Sequence, residues 1–251
     1  MAESMRTSTP SIAELRAATQ PPEIFARNSG EHWAGRLYIR RFSPYATRLF
    51  LRAGMSPNAV TWLFVAVGVA AAAVLAVDDL GIAGVAAAFL LVQLQILLDC
   101  SDGEVARWQE RFSAKGIYLD RVGHYVTEAG LPIALGIRAD EVTLGLVVAV
   151  LVLLIKSETA LVHVARAEAG RPPAPDRADV AAPRAGLLRS LRRAAAAVPF
   201  YRAFVAMEFT LLALVAEAID ETDTLLVVLV PVAGVTALGH LVAILTSDRL
   251  R

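Results

Sequence analysis

The chain has 251 residues, of which 56% are hydrophobic and 19% are charged, and its mean hydropathy is +0.55. This composition is typical of an integral membrane protein and excludes an ordinary soluble domain. The 24 basic and 24 acidic residues give a net charge of zero, so the overall charge gives no reason to expect a nucleic-acid partner.

Residues 1–42 form a polar segment that lacks the apolar core of a signal peptide. We therefore expect a cytoplasmic N-terminal segment, loosely ordered up to about Pro22, followed by a membrane domain over residues 43–251. Residues 43–53 mix apolar and basic side chains, which favours a short amphipathic helix lying in the membrane interface. A solvated basic leader is the alternative.

Six apolar segments each approach the roughly 20 residues that a helix needs to cross a bilayer. They predict an all-α integral membrane protein, a bundle of six transmembrane helices preceded by the interfacial helix. The spans are expected at 59–77, 81–107, 113–136, 142–166, 199–218 and 223–246. The longest connection, 167–198, is expected to be a loop that leads into an amphipathic surface helix.

The basic residues predict the orientation. The connections near 78–79, 138–141 and 217–223 contain only one of them, Arg138. Because basic residues concentrate in cytoplasmic loops, both termini and the ends of the second and third spans are expected in the cytoplasm. Only Lys115 and Lys156 are lysines among the 24 basic residues, and alanine is abundant. This favours a GC-rich bacterial genome and hence a bacterial plasma membrane.

Four polar side chains mark the junction of the second and third spans. Asp99 and Asp102 are three residues apart and share one helix face, while Asp120 and His124 are four apart and share a face of the next helix. Two facing helices would bring three carboxylates and an imidazole together. Carboxylates at the end of a membrane helix are costly and usually functional, and they suit Mg²⁺, which proteins bind with a few acids plus substrate phosphates.

Small residues and a cation lie beside these acids. Gly103 and Gly116 carry no side chain and Ala106 only a methyl group, so a substrate can approach the backbone closely. Arg107, one turn beyond Asp102, is positioned to pair with a carboxylate or a phosphate. The single cysteine, Cys100, is interpreted as a small packing residue.

From Asp99 to His124 the chain follows the pattern D-x2-D-G-x2-A-R-x8-G-x3-D-x3-D at every specified position except the last, where histidine replaces aspartate. The pattern resembles the signature of the CDP-alcohol phosphotransferase (CDP-alcohol phosphatidyltransferase) family. The resemblance implies a membrane transferase, dependent on Mg²⁺ or Mn²⁺, that moves a phosphoryl-alcohol group from a CDP-linked donor to an alcohol and releases CMP. It also favours CDP-diacylglycerol as donor, phospholipid synthesis and a homodimer.

The resemblance further implies roles for individual residues. Asp99, Asp102 and Asp120 correspond to metal-binding acids, and His124 to the position of a catalytic base that also ligates metal. Asn58 and Thr61 lie in a sequence similar to the family's S/T-P-N-x-x-T element. The positions expected to bind the nucleotide are Asn58, Thr61, Asp99, Asp102, Gly103, Ala106, Arg107, Ser113 and Gly116.

His124 leaves three interpretations open. It is a working base, or it ligates metal or holds substrate while another group is the base, or it weakens or disables the site. An imidazole is well suited to accept a proton near neutral pH but ligates hard metals less readily than a carboxylate. Glu128, one turn further along the helix, either orients His124, replaces the missing acid, or is only a polar residue in the bundle.

Three cations in the later spans suggest where an acceptor binds. Lys156, Arg166 and Arg202 are predicted to form a cationic group for a phosphate-bearing acceptor or a lipid headgroup, because charges in membrane helices are usually functional. Each of them is alternatively a structural pair or a residue whose charge reaches the interface.

Other functions remain as alternatives. Glu104 gives the motif a form similar to that of relatives that join inositol phosphates, which suggests a soluble CDP-polyol donor. A transporter would use the acids to bind cations, but the six segments show no obvious internal repeat and the acids lie at one end of the bundle. A nucleotide-binding pseudoenzyme is the third alternative.

Overall fold

The computed structural model describes residues 10–21, 33–173 and 200–250. Every regular element in these ranges is helical, which confirms the all-α prediction for this part of the chain. A π-helical turn occupies Gly35–Ile39, and short 3₁₀ helices occupy Asp78–Leu80 and Phe200–Phe204. The α-helices are α1 (Ile12–Thr19), α2 (Arg40–Arg52), α3 (Pro57–Leu75), α4 (Gly81–Gln109), α5 (Ala114–Arg138), α6 (Val142–Glu168), α7 (Ala206–Ala218) and α8 (Thr222–Thr246).

Four helical segments in the described part are long and apolar enough to cross a membrane, namely α3, Asp78–Gln109, α6 and α8. The helices agree with the corresponding predicted spans to within two residues at each end. The predicted span 113–136 corresponds to α5, which carries several charged residues. The predicted span 199–218 is helical from Phe200, but its α-helix has only 13 residues because extended backbone at Val205 (φ −79°, ψ 137°) interrupts it. Most of the predicted loop 167–198 lies outside the described residues.

The structure divides into two units. Of the described residues, those within 1–70 and 90–126 form the first unit, and those within 71–89 and 127–251 form the second. The first unit has a buried core of Val60, Phe64, Leu98 and Val105. At Gly123 an added Cβ would clash with the Phe64 ring, so only glycine permits this close approach of α3 and α5.

The helix α1 begins with reciprocal hydrogen bonds between Ser11 and Glu14. The Ser11 hydroxyl accepts from the Glu14 amide, and the Glu14 carboxylate accepts from the Ser11 amide. Hydrogen bonding of the Ser11 hydroxyl and amide to the Glu14 carboxylate lowers the pKa of this side chain. Although the segment before Pro22 was expected to be loosely ordered, this cap and the complete burial of Leu15 give residues 12–19 a defined helix. The predicted helix at 43–53 corresponds to α2, and its location in the membrane interface stays a prediction.

Three ion pairs join charged residues within the second unit. Lys156 Nζ lies 2.6 Å from Oε2 of Glu128, and His240 Nδ1 lies 2.8 Å from Oε2 of Glu158. Arg138 donates from Nε to Glu217 over 3.0 Å, and hydrogen bonding to this carboxylate raises the pKa of the guanidinium. These pairs explain how charged groups are accommodated among apolar helices.

Candidate active site

A tight turn joins the two helices that carry the motif. The helix α4 ends because Glu110 adopts a left-handed conformation (φ +52°) and the Arg111 amide donates to the Ala106 carbonyl over 3.0 Å. The hydroxyl of Ser113 then accepts from the Gly116 amide over 3.0 Å and caps the start of α5. The turn places the end of α4 beside the beginning of α5.

Three of the predicted residues come together across this junction. The Nε2 atom of His124 lies 3.2 Å from Oδ1 of Asp99 and 3.7 Å from Oδ1 of Asp120. The side chains of Asp99, Asp120 and His124 are 33%, 40% and 39% exposed, so a ligand can reach all of them. Their catalytic and metal-binding roles stay predictions.

The geometry of this cluster fits a divalent cation. One potential ligand atom from each of Asp99, Asp120 and His124 lies within 4.8 Å of the other two. Ligands on opposite sides of Mg²⁺ are about 4.2 Å apart, since each bond is about 2.1 Å long. Small adjustments would therefore let the three groups share one ion. The two carboxylates are the ligand type that Mg²⁺ and Mn²⁺ prefer.

Asp102 has a different partner. Its Oδ2 atom accepts a hydrogen bond of 2.6 Å from the Thr61 hydroxyl, and it is not a member of the three-residue cluster found in the described part of the chain. The bond links two stretches that the sequence assigned to nucleotide and metal binding, the beginning of α3 and the acids of α4. Asp102 is thereby oriented by Thr61.

Asn58, Ser113 and Gly116 also lie together. A Cβ added to Gly116 would lie 2.9 Å from Oδ1 of Asn58 and 3.2 Å from Oγ of Ser113. The missing side chain at position 116 therefore lets both polar groups approach the backbone of α5. This proximity is consistent with a shared binding surface, while nucleotide binding itself stays a prediction.

Arg107 folds back over Gly103 and reaches the N-terminal helix. A Cβ on Gly103 would lie 3.3 Å from both Nη atoms of Arg107. The Nε group of Arg107 donates to the carbonyl of Thr19, at the end of α1, over 2.7 Å. A residue predicted to contact phosphate is thus positioned by a segment that the sequence offered no reason to place here. Ala106, on the same turn of α4, is half-buried.

Glu104 is the centre of a network that sequence reasoning missed. Its side chain is completely buried, and its carboxylate accepts hydrogen bonds from the residue that follows α1 and from three residues of α2. The donors are Gln20 (2.8 Å), Arg40 (3.1 Å), Ser43 (2.6 Å) and Thr47 (2.7 Å). The only signal in the sequence was an acid inside the motif, and nothing identified its partners.

Replacing Glu104 is expected to destabilise the protein. In Glu104→Ala the Arg40 guanidinium and three neutral donors lose a buried acceptor, which we expect to lower the free energy of unfolding by about 3 kcal/mol or more. Thermal unfolding of the purified protein in detergent measures this, with the exposed acid Glu168→Ala as control. An unchanged melting temperature in Glu104→Ala would contradict the role assigned to the network.

Phe64 is a further neighbour of the site. Its ring centroid lies 4.9 Å from that of His124, and the two planes are inclined by 59°. Since Phe64 belongs to the buried core, it limits how the imidazole can turn. The sequence contained no signal for this contact.

The cations predicted to bind an acceptor have separate surroundings. Lys156 forms the ion pair with Glu128 described above, and Arg166 donates to the carbonyls of Pro172 and Arg249 over 2.7 and 2.9 Å. Arg202 is exposed. The pairing of Glu128 with Lys156 is one of the structural roles that the sequence left open for both residues. An acceptor site at these cations stays a prediction.

A scan against models of protein families matches residues 54–238 with the family described as CDP-alcohol phosphatidyltransferase. The match covers about three quarters of the chain. The chain belongs to the CDP-alcohol phosphatidyltransferase family. The matched range contains Asn58, Thr61 and the complete motif from Asp99 to His124, so the resemblance identified from the sequence is confirmed. No curated protein matches the chain.

Membership of the CDP-alcohol phosphatidyltransferase family implies a transferase that takes a phosphoalcohol group from a CDP-alcohol and passes it to an alcohol acceptor. The four long apolar helices indicate an integral membrane protein. Two described stretches, 10–21 and 33–53, precede the matched range. They contain Thr19, whose carbonyl accepts from Arg107, and all four donors to Glu104.

Proposed function

We propose that this protein transfers a phosphatidyl group from CDP-diacylglycerol to an alcohol acceptor and releases CMP. The observation that carries the proposal is the half-exposed cluster of Asp99, Asp120 and His124, whose potential ligand atoms lie within 4.8 Å of one another. The cluster lies at the junction of two helices in a member of a transferase family. Such a cluster suits a reaction in which a metal-bound phosphate group changes partners.

Asp99 and Asp120 would hold a divalent cation, Mg²⁺ or Mn²⁺, with Asp102 oriented nearby by Thr61. When bound, the cation neutralises negative charge on the pyrophosphate and on the departing CMP. Asn58, Ser113 and Arg107 would bind the nucleotide, while Gly103 and Gly116 leave room for these three side chains.

His124 would accept the proton of the attacking hydroxyl on its imidazole ring. The carboxylates of Asp99 and Asp120, at 3.2 and 3.7 Å from Nε2, favour the imidazolium that results. Phe64 restricts the ring so that Nε2 keeps facing the acids. These contacts support an active histidine base over a disabled site.

A lipid donor is favoured over a soluble CDP-polyol. The sequence argument for a CDP-polyol was Glu104, but that carboxylate is buried and bound by four donors. Its presence therefore has a structural explanation. The six-span count, the cytoplasmic location of both termini and of the site, the bacterial plasma membrane and the homodimer remain parts of this proposal.

The test is CMP release by the purified full-length protein in detergent with Mg²⁺, a panel of alcohols, and either CDP-diacylglycerol or a CDP-polyol as donor. We expect release that requires CDP-diacylglycerol and an alcohol and that stops when a chelator removes the metal. Release from the CDP-polyol alone would overturn the lipid donor. Nucleotide binding without release from either donor would point to the pseudoenzyme.

A further inference from the structure

A second concave site lies outside the motif, among residues that precede the family match. A cavity of about 460 Å³ is lined by Arg16 of α1, Arg36 of the π-helical turn, and Arg40 and Arg41 at the start of α2. Its volume falls within the roughly 300–1,000 Å³ of small-molecule sites. The described residues that line it include no acidic side chain.

The charge of this cavity, which we call the arginine pocket, is strongly positive. The pocket contains four guanidinium groups. One of them, that of Arg40, forms an ion pair with the buried carboxylate of Glu104 at 3.1 Å. Arg16 donates to the carbonyl of Arg41 over 3.2 Å, which holds α1 against the start of α2. Guanidinium groups gathered in one cavity are suited to bind a phosphate group, because each offers paired donors to its oxygens.

Apolar side chains beside the arginines indicate that the phosphate belongs to a lipid. Phe42 and Tyr45 also line the pocket, and they are 59% and 58% exposed. Together with Leu49, which is 63% exposed, they follow the spacing of one helix face. An exposed apolar face beside arginines is typical of a surface that contacts anionic lipid at the membrane interface.

We propose that the arginine pocket binds the phosphate group of an anionic ligand, a lipid headgroup or a soluble phosphate, at a site separate from the motif. The ligand would bridge α1 and α2 and so stabilise the N-terminal segment. This segment contains the hydrogen-bond donors to Glu104 and the Thr19 carbonyl that accepts from Arg107. The proposal does not depend on which reaction the motif performs.

The experiment is native mass spectrometry of the full-length protein in detergent, titrated with dioctanoyl phosphatidic acid, with inorganic phosphate, or with zwitterionic dioctanoyl phosphatidylcholine. The variant is Arg16→Gln/Arg41→Gln. Its matched control is Arg52→Gln/Arg171→Gln, which removes the same charge at two exposed arginines elsewhere. We expect the variant to bind phosphatidic acid about tenfold more weakly than the wild type and the control to bind as the wild type does.

The ligands separate the two sources. Binding of phosphatidic acid but not of inorganic phosphate assigns the pocket to a lipid headgroup, and arginine-dependent binding of both assigns it to phosphate itself. Equal binding by variant and control, or equal affinity of the wild type for phosphatidylcholine, would overturn the proposal. If the double variant unfolds, Arg36→Gln replaces it, since this exposed side chain also lines the pocket.

Discussion

Asp99→Asn is expected to reduce CMP release by about three orders of magnitude, a loss of roughly 4 kcal/mol of transition-state stabilisation. The substitution keeps the shape of the side chain but removes the charge that faces Nε2 of His124 at 3.2 Å and that would bind the cation. An amide oxygen is a weaker ligand for a hard cation than a carboxylate. The measurement is the rate of CMP release at increasing Mg²⁺ concentration.

The matched control is Asp79→Asn, which neutralises an exposed acid outside the cluster. It should keep the wild-type rate and the wild-type melting temperature. A normal rate in Asp99→Asn at ordinary Mg²⁺ concentrations would remove Asp99 from the reaction and with it the metal site proposed here. If Asp99→Asn loses activity because the protein unfolds, Asp120→Asn replaces it as the test, since Asp120 is the other carboxylate of the cluster.

His124→Ala is expected to lower the rate of CMP release by about 10²–10⁴-fold, the range found when a general base is removed. At saturating Mg²⁺ the deficit should persist, because the missing group is the proton acceptor. His124→Asp should recover most of the activity, since aspartate is the residue that the motif pattern has at this position. Rates are measured at saturating donor and acceptor.

Magnesium titration distinguishes the base from a metal ligand. A His124→Ala variant that regains the wild-type rate at high Mg²⁺ would show that the imidazole only ligates the cation. Greater activity in His124→Asp than in the wild type, with almost none in the wild type, would instead identify a site disabled by histidine. His163→Ala, a change at an exposed histidine of α6, serves as the control and should leave the rate unchanged.

Local patterns in the sequence predicted the long helices and the cluster. The bounds of α4 and α6 follow from apolar runs that end in polar residues, and the shared face of Asp120 and His124 follows from helix geometry. Asp102, which was predicted to join them, bonds to Thr61 instead. Both signals extend over only a few turns of helix. The break at Val205 was missed because apolar residues continue across it, so hydropathy does not register the extended backbone.

The Glu104 network could not be predicted because its contacts are distant in sequence. Thr47 is 57 residues from Glu104 and Gln20 is 84 residues away, and neither spacing nor composition encodes such pairings. Gly123 was missed for a similar reason: its importance lies in the Phe64 ring that packs against it from another helix. The arginine pocket likewise combines side chains from three separate elements.

The contacts of Glu104 also bear on how the chain can be recombined. This residue lies inside the family match at 54–238, whereas Gln20, Arg40, Ser43 and Thr47 all precede it. The N-terminal segment and position 104 are therefore expected to be exchangeable between proteins only together. A relative without an acid at the position equivalent to 104 would, on receiving residues 1–53 of this chain, bury Arg40 without its counter-charge, and transplanting the acid along with the segment should restore folding.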